Sequence, residues 1–195
     1  MGLFSPREEI KDALTLRTER LLLRVVRVHS AVEVTDYLVR NRAFHKPFHQ
    51  PHTDRYFTVE EQKLYIQSDL RAYETGAGFP FWISKKTEPN RIIGRVSFYD
   101  VLRGALLSCH VGYHMDVSEV DKGYMKEALR AGIDYMFQKQ RLHRIQADVM
   151  PGNLPSMSTV ESCGFRLQGL NEKYMNIDGV WRDHLCYAIL NEEVE

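Results

Sequence analysis

One helix with a single apolar face constrains this chain more than any other feature. Downstream of Gly123, apolar residues fall at Met125, Ala128, Leu129, Gly132, Ile133, Met136 and Phe137, the three-and-four spacing of a helix buried along one side. The spacing predicts a helix starting near Gly123. Just before it, His110-Val111-Gly112-Tyr113-His114-Met115 reads as a strand, so the order is strand, short loop, glycine, helix. The first amides of a helix have no partners within it and sit at the positive end of its peptide dipoles. Such a junction therefore offers N–H groups to an anion, typically a phosphate. Lys122 and Lys126 add cations where a helix by itself favours acids. A lone glycine before a helix is more often a plain turn, so the surrounding segments have to carry the argument.

Arg91-Ile92-Ile93-Gly94-Arg95-Val96-Ser97-Phe98 and Cys109 to Met115 read as neighbouring strands joined across Arg103-Gly104. Upstream, Arg20 to Val26 alternates as a first strand. Helical stretches follow at Ala31 to Arg42 and Val59 to Thr75, separated by a loop rich in Pro and His. Gly76 and Gly78 end the second helix, Phe79 to Ser84 begins a run of strands, and Thr87-Glu88-Pro89-Asn90 is a turn by composition. Beyond the central helix come a strand, a short helix and two final strands. This order implies a mixed α+β domain with helices on the faces of its sheet.

At 195 residues the chain fits one domain, 1–195, with residues 1–15 reading as a flexible N-terminal arm. The 26 basic and 26 acidic residues balance, which argues against broad nucleic-acid binding. No run approaches the roughly twenty apolar residues that span a bilayer. Pro6 stands where a myristoylation signal needs Ser or Thr, and Arg7, Glu8, Glu9 and Lys11 interrupt any signal-peptide core. Cys109, Cys163 and Cys186 form an odd set without metal-ligand spacing, as in a reduced cytoplasmic protein.

After the central helix come Asn153-Leu154-Pro155-Ser156, Val160 to Phe165 and Asp178-Gly179-Val180-Trp181-Arg182-Asp183-His184. In this order and spacing, nearly the whole chain from Leu16 onward resembles the Gcn5-related (GNAT) N-acetyltransferases. Within them it is similar to the ribosomal-protein alanine N-acetyltransferases of the RimJ/RimL type, a match narrowed by Asn41 to Phe48. The resemblance implies the GNAT fold: a twisted, mostly antiparallel sheet of six or seven strands, splayed between its central strands, with helices on both faces. It implies acetyl-CoA as cofactor, CoA as product and no metal. The acceptor is then a primary amine, foremost the N-terminal α-amine of Ala or Ser on a ribosomal protein, attacking the thioester directly in a ternary complex. A polyamine, aminoglycoside or amino-acid-like amine is the alternative acceptor. A non-catalytic CoA-binding or ribosome-assembly module is the alternative class. A monomer or homodimer is expected. Val120 and Met125 depart from the family's phosphate loop, where Arg or Gln and Gly or Ala are usual, and Asp121 stands where a small residue is common.

Acetyl transfer to an amine needs a neutral amine, an oxyanion site and a proton for the departing thiolate. By resemblance, backbone amides near Met115 and Val117 meet the second need, while Lys122, Gly123, Tyr124, Met125 and Lys126 hold the phosphates. Asn153 and Ser156, three apart, share one side of a first helical turn. Residues alone favour Asn153 as a plain N-cap. The resemblance makes Ser156 the thiolate's acid and lets Asn153 also bind the pantetheine arm. His110 stands where the family often has Glu, sharing a strand face with Gly112 and His114, and is the expected base. Glu172, Asp183 and an ordered water are the alternatives. Arg42, Phe44, Phe48, Tyr174, Trp181 and Asp183 are the expected acceptor wall; each also has an ordinary reading as packing or surface residue. His45, His49 and His52 cluster, but Pro47 disfavours the helix that would align them as metal ligands.

Overall fold

The structure, a computed structural model, describes residues 13–48 and 50–193. Expectations placed on the first twelve residues and on His49 lie outside the described residues. Among the described residues eight strands form one sheet: β1 (Leu14–Arg17), β2 (Leu21–Val25), β3 (Phe79–Lys85), β4 (Glu88–Leu102), β5 (Ser108–Met115), β6 (Arg144–Val149), β7 (Arg166–Ile177) and β8 (Val180–Leu190). Their spatial order is β1-β2-β3-β4-β5-β6-β8-β7. Four α-helices accompany them: α1 (Ala31–His45), α2 (Val59–Glu74), α3 (Tyr124–Gln138) and α4 (Leu154–Ser162).

Eight strands replace the expected six or seven: the first expected strand, Arg20 to Val26, is β2, and a further strand, β1, precedes it. Thr18 separates the two: its N–H donates to the Leu21 carbonyl and its hydroxyl accepts the Leu21 N–H, closing a turn. Leu14 and Thr15, read as part of the arm, thus belong to the sheet edge. The β3–β4 turn also moves, to Lys86-Thr87, since Glu88 already lies in β4 and pairs with Lys85 at 2.7 Å. Pro89 is tolerated there because the ladder is irregular at Ser84 and Lys85.

Alternation along β3 sends Phe79, Phe81 and Ile83 to one face and Trp82 to the other. The first set joins Ala128, Leu129, Ile133 and Met136 of α3 and Val160 of α4 in the main core. Trp82 joins Val34, Tyr37 and Leu38 of α1 and Ile66 of α2 in a second. The apolar face of α3 therefore meets the sheet as its spacing demands. Gly132 lets it approach closely, since a Cβ there would lie 2.6 Å from Phe98 Cε2.

Among the described residues the pairing of β5 with β6 is the only parallel one, and it is short. Ser108, Cys109 and His110 pair with Arg144, Ile145 and Gln146. Beyond them β5 stays with β4 and β6 with β8, so a V opens between the central strands.

Candidate functional site

Two left-handed residues shape the loop between β5 and α3. Asp121 (φ 59°) and Gly123 (φ 76°) are both left-handed and turn the chain sharply into α3. Asp tolerates that conformation better than most side chains, which accounts for its presence where a small residue is common. The first helical bond runs from Glu127 N–H to the Gly123 carbonyl at 3.1 Å, so the amides of Tyr124, Met125 and Lys126 have no helical acceptor.

Two buried carboxylates pin the base of this loop. Asp116 accepts Arg40 Nε at 2.7 Å and the Ser118 amide at 2.9 Å. Glu119 takes Arg91 at 2.8 Å, Lys122 at 2.9 Å and Lys85 at 3.1 Å. Burial alone would raise both carboxyls, but these hydrogen bonds and cations hold each at about 2. Both stay ionised. Lys122, expected at a phosphate, is thereby tied to this loop though half exposed: its ammonium also donates to the Ser118 carbonyl at 2.6 Å.

A cavity of about 510 Å³ runs from this loop into the V. Gly123, Tyr124, Met125 and Lys126 line one end, and Met115, Asn153 and Ser156 the other. The Asn153 side chain accepts the Ser156 amide at 3.3 Å, so it does cap α4. Ser156 Oγ lies 2.7 Å from the Tyr113 hydroxyl, which also reaches the Ser156 carbonyl at 3.0 Å. Burial drives the Tyr113 phenol far up, leaving a neutral hydroxyl pair able to pass a proton.

The open edge of β5 is partly closed by α1. Asp116 N–H donates to Ile93 of β4, so the alternate residues Tyr113 and Met115 direct their main chain away from β4 and across the V. His45 Nε2–H donates to the Met115 carbonyl at 2.8 Å, and Asn41 Oδ1 accepts the Val117 amide at 2.9 Å. The Val117 amide, expected to face the cofactor, is therefore occupied. One helical turn separates Asn41 from His45, so a single face of α1 closes both groups.

On the other face of β5 from Tyr113, at the base of the V, His110 Nδ1 meets Asp148 Oδ2 at 3.1 Å. The Asp148 side chain is 1% exposed and also accepts Gln146 Nε2 at 3.1 Å. The hydrogen bond that His110 donates to Asp148 raises the His110 pKa against the opposing effect of burial. With its Nδ1–H on the carboxylate, a neutral His110 keeps the Nε2 lone pair for a proton. Tyr99 stands beside it, ring centroids 5.7 Å apart, its phenol pushed to about 12 chiefly by burial and then by Asp148. Tyr174 is raised by the same two causes and belongs to this cluster.

The remaining expected acceptor residues divide. Phe44 and Phe48 line the cavity together with the phosphate loop. Arg42 does not: it pairs with Asp54 at 2.7 Å and lies over Phe57. Asp183 accepts the Lys173 amide at 2.7 Å and so braces the β7–β8 hairpin, on which Trp181 is exposed. Sequence reading missed Tyr113, Asp148, Asn41 and the structural part of His45. Only Asp148 had a visible signal: Arg144, Gln146 and Asp148 make one side of β6 polar while Ile145, Ala147 and Val149 are buried. Among the described residues no group of three or more His, Cys, Asp or Glu is placed to hold a metal ion, and no helix is long and apolar enough to cross a membrane.

Set beside known proteins, residues 20–166 match the acetyltransferase (GNAT) domain. The chain is 38% identical to the probable N-acetyltransferase YjcK of Bacillus subtilis (strain 168), over 92% of this chain and 99% of that protein. It is 34% identical to the [ribosomal protein uS5]-alanine N-acetyltransferase of Escherichia coli (strain K12), over 89% of each. Among solved structures, the ribosomal-protein-S5-alanine acetyltransferase of Vibrio fischeri superposes with a TM-score of 0.88 at 31% identity, covering 93% of this chain and 99% of that one. Mycobacterium smegmatis RimJ in complex with CoA-disulfide gives 0.83 at 30% identity, covering 89% and 83%.

Proposed function

The chain belongs to the GNAT acetyltransferases and is an N-acetyltransferase; on that premise we propose that it acetylates the N-terminal α-amine of a protein, foremost an Ala or Ser terminus on a ribosomal protein. The observation that carries the reading is the V between β5 and β6, with a hydroxyl pair on one face of β5 and a His–carboxylate pair on the other. The family relationship to uS5-alanine N-acetyltransferase, at 34% identity, supports the acceptor.

The residues present fit acetyl-CoA. The free amides of Tyr124 to Lys126 and the ammonium of Lys126 suit its phosphates, and the cavity continues from them to Tyr113, Met115 and Ser156. When bound, acetyl-CoA supplies an acetyl group activated as a thioester. Met115 and Tyr113 direct main-chain groups into the V, where an N–H stabilises negative charge on an oxygen without reorganising. Ser156, coupled to Tyr113, donates a proton at its Oγ on the α4 side. His110 accepts one at Nε2 on the opposite side, with Asp148 fixing the tautomer and stabilising the imidazolium. No thiol competes as a nucleophile: burial raises Cys163 and Cys186, and Cys109 to about 12. That inertness supports transfer direct from thioester to amine. A reduced cytoplasmic setting is part of the same reading.

The test combines acetyl-CoA with peptides beginning Ala or Ser and follows free thiol, with calorimetric binding of acetyl-CoA alongside. Turnover on the peptides, and little on the isolated first residue, is the expected result. Equal rates on a long peptide and on its first residue would move the acceptor to a small-molecule amine. No binding at millimolar acetyl-CoA by folded protein would overturn the catalytic reading.

A further inference from the structure

A carboxylate in the first turn of a helix suits the helix but opposes a phosphate approaching the same amides. Glu127 is such a carboxylate, in the first turn of α3. Burial would raise its pKa, yet hydrogen bonds from Thr18 and Arg20 bring it below the usual carboxylate value, so it is charged. Lys122 offers no relief, because its ammonium is held by Glu119 and the Ser118 carbonyl. The cation standing against this end of α3 comes from the β1–β2 turn. Arg20 Nε donates to Glu127 Oε2 at 2.6 Å and its Nη1 to the Lys122 carbonyl at 3.1 Å, 102 residues along the chain. Its guanidinium also lies 4.5 Å from the Tyr124 ring centroid, and a Cβ on Gly123 would meet its Nη2 at 3.5 Å. One planar fork thus engages Lys122, Tyr124 and Glu127 beside Gly123, while the Arg20 amide donates to the second Glu127 oxygen at 2.9 Å.

We propose that Arg20 is a positioning residue for the phosphate end of acetyl-CoA: it neutralises Glu127 and holds the Lys122 carbonyl, so that the free amides of α3 meet an anion without a competing negative charge. The inference rests on the acetyl-CoA reading above. It predicts that removing Arg20 harms binding only when the ligand carries phosphates, and that the harm comes through Glu127.

The experiment measures calorimetric dissociation constants for CoA and for pantetheine, which has the same arm and no phosphates. The proteins are the wild type, Arg20→Gln, Arg20→Lys, Glu127→Gln and the double variant Arg20→Gln/Glu127→Gln, with melting temperatures recorded throughout. Arg20→Gln is expected to weaken CoA about tenfold, as one uncompensated charge near a phosphate does at intermediate dielectric, and to leave pantetheine unchanged. The double variant should recover most of the loss, and Arg20→Lys should lie between. Equal weakening of both ligands, or no recovery in the double variant, would overturn the proposal and leave Arg20 a brace for the β1–β2 turn. If Arg20→Gln does not fold, Arg20→Lys and Glu127→Gln carry the comparison: a CoA affinity unchanged in both overturns it. Wild-type protein that binds no CoA would sink the acetyl-CoA reading itself, whereas normal wild-type binding with an indifferent Arg20→Gln sinks this inference alone.

Discussion

Gly132→Ala tests whether the close seating of α3 on the sheet sets the phosphate loop. The added Cβ would lie 2.6 Å from Cε2 and 2.8 Å from Cζ of Phe98, where unstrained carbon contacts need about 3.5–4.0 Å. Roughly 1 Å of movement is therefore required. The Phe98 ring cannot swing away cheaply, being fully buried and edge-on to Phe81 at 6.4 Å. Overpacking of this kind costs about 1–3 kcal/mol, and two ring contacts under 3 Å place it in the upper half of that range. Replacing Gly by Ala inside a helix returns about 1 kcal/mol. The net loss is about 1–2 kcal/mol, a fall in Tm of roughly 2–8 °C for a domain of this size. Calorimetric melting measures it, and titration with CoA shows whether the loop moved with the helix. Affinity should drop, because the first turn of α3 carries the free amides. Gly132→Ala/Phe98→Leu should lose less than the two single losses added, since the smaller side chain makes room. A Tm unchanged or raised by Gly132→Ala would mean that helix propensity alone decides, and the close-contact argument would be wrong.

Ser156→Ala should lower kcat more than it raises KM for acetyl-CoA, within the ~10²–10⁴-fold span typical of a general acid; a fall in Tm with kcat unchanged would reduce Ser156 to a helix residue. Tyr113→Phe should reproduce part of that kcat loss, and the double variant should add little to Ser156→Ala if the two hydroxyls act as one unit. For His110, whose pKa is raised, the rate should climb with pH through a group titrating above the ordinary histidine value of about 6.5. Asp148→Asn removes the cause of that rise, so its limb should move to lower pH with a reduced plateau, and His110→Ala should abolish the limb. A limb surviving in His110→Ala would shift the base to Glu172, Asp183 or water. Serine at all three cysteine positions should leave kcat per folded molecule unchanged, as direct transfer requires; loss of turnover in folded Cys186→Ser would argue for an acyl-thiol route.

Much of this arrangement was legible because it rests on local rules. The face of α3 and the Gly123 cap follow from residue spacing and one left-handed position. Asn153 capping α4 follows from side-chain chemistry alone. The His110–Asp148 pair was hidden, since it depends on the parallel register of β5 with β6, and three residue pairs leave no mark on either strand. Lys122 misled for a related reason. Its charge was visible, but not that Glu119 would be buried among three cations and claim it. The same blindness covered Arg20 and Asn41, whose partners lie 102 and 76 residues away. The eighth strand escaped because Thr18 closes a turn with its own side chain, which composition does not announce.

Acyl transfer from sulfur to nitrogen needs a proton removed at the amine and one delivered to the thiolate. In the proposed roles, the pleat of β5 separates the two tasks. Tyr113 faces α4 and meets Ser156, while His110 faces the other way and meets Asp148. Between them the strand's main chain opens into the V only beyond His110, where the partner strand departs. A shift of one residue in the β4–β5 register would exchange the two faces and leave His110 against the main core. Gly94 permits the close approach of the two strands in the present register, because a Cβ there would lie 2.9 Å from the His114 carbonyl and 3.1 Å from Met115 Sδ. A side chain at this position forces β4 and β5 apart at the mouth of the V. Gly94→Ala should therefore weaken CoA and slow turnover together, while His110, at the far end of the ladder, keeps its pH limb. If the limb vanished while CoA affinity held, the two ends of β5 would be coupled through register, and the separation of tasks argued here would not stand.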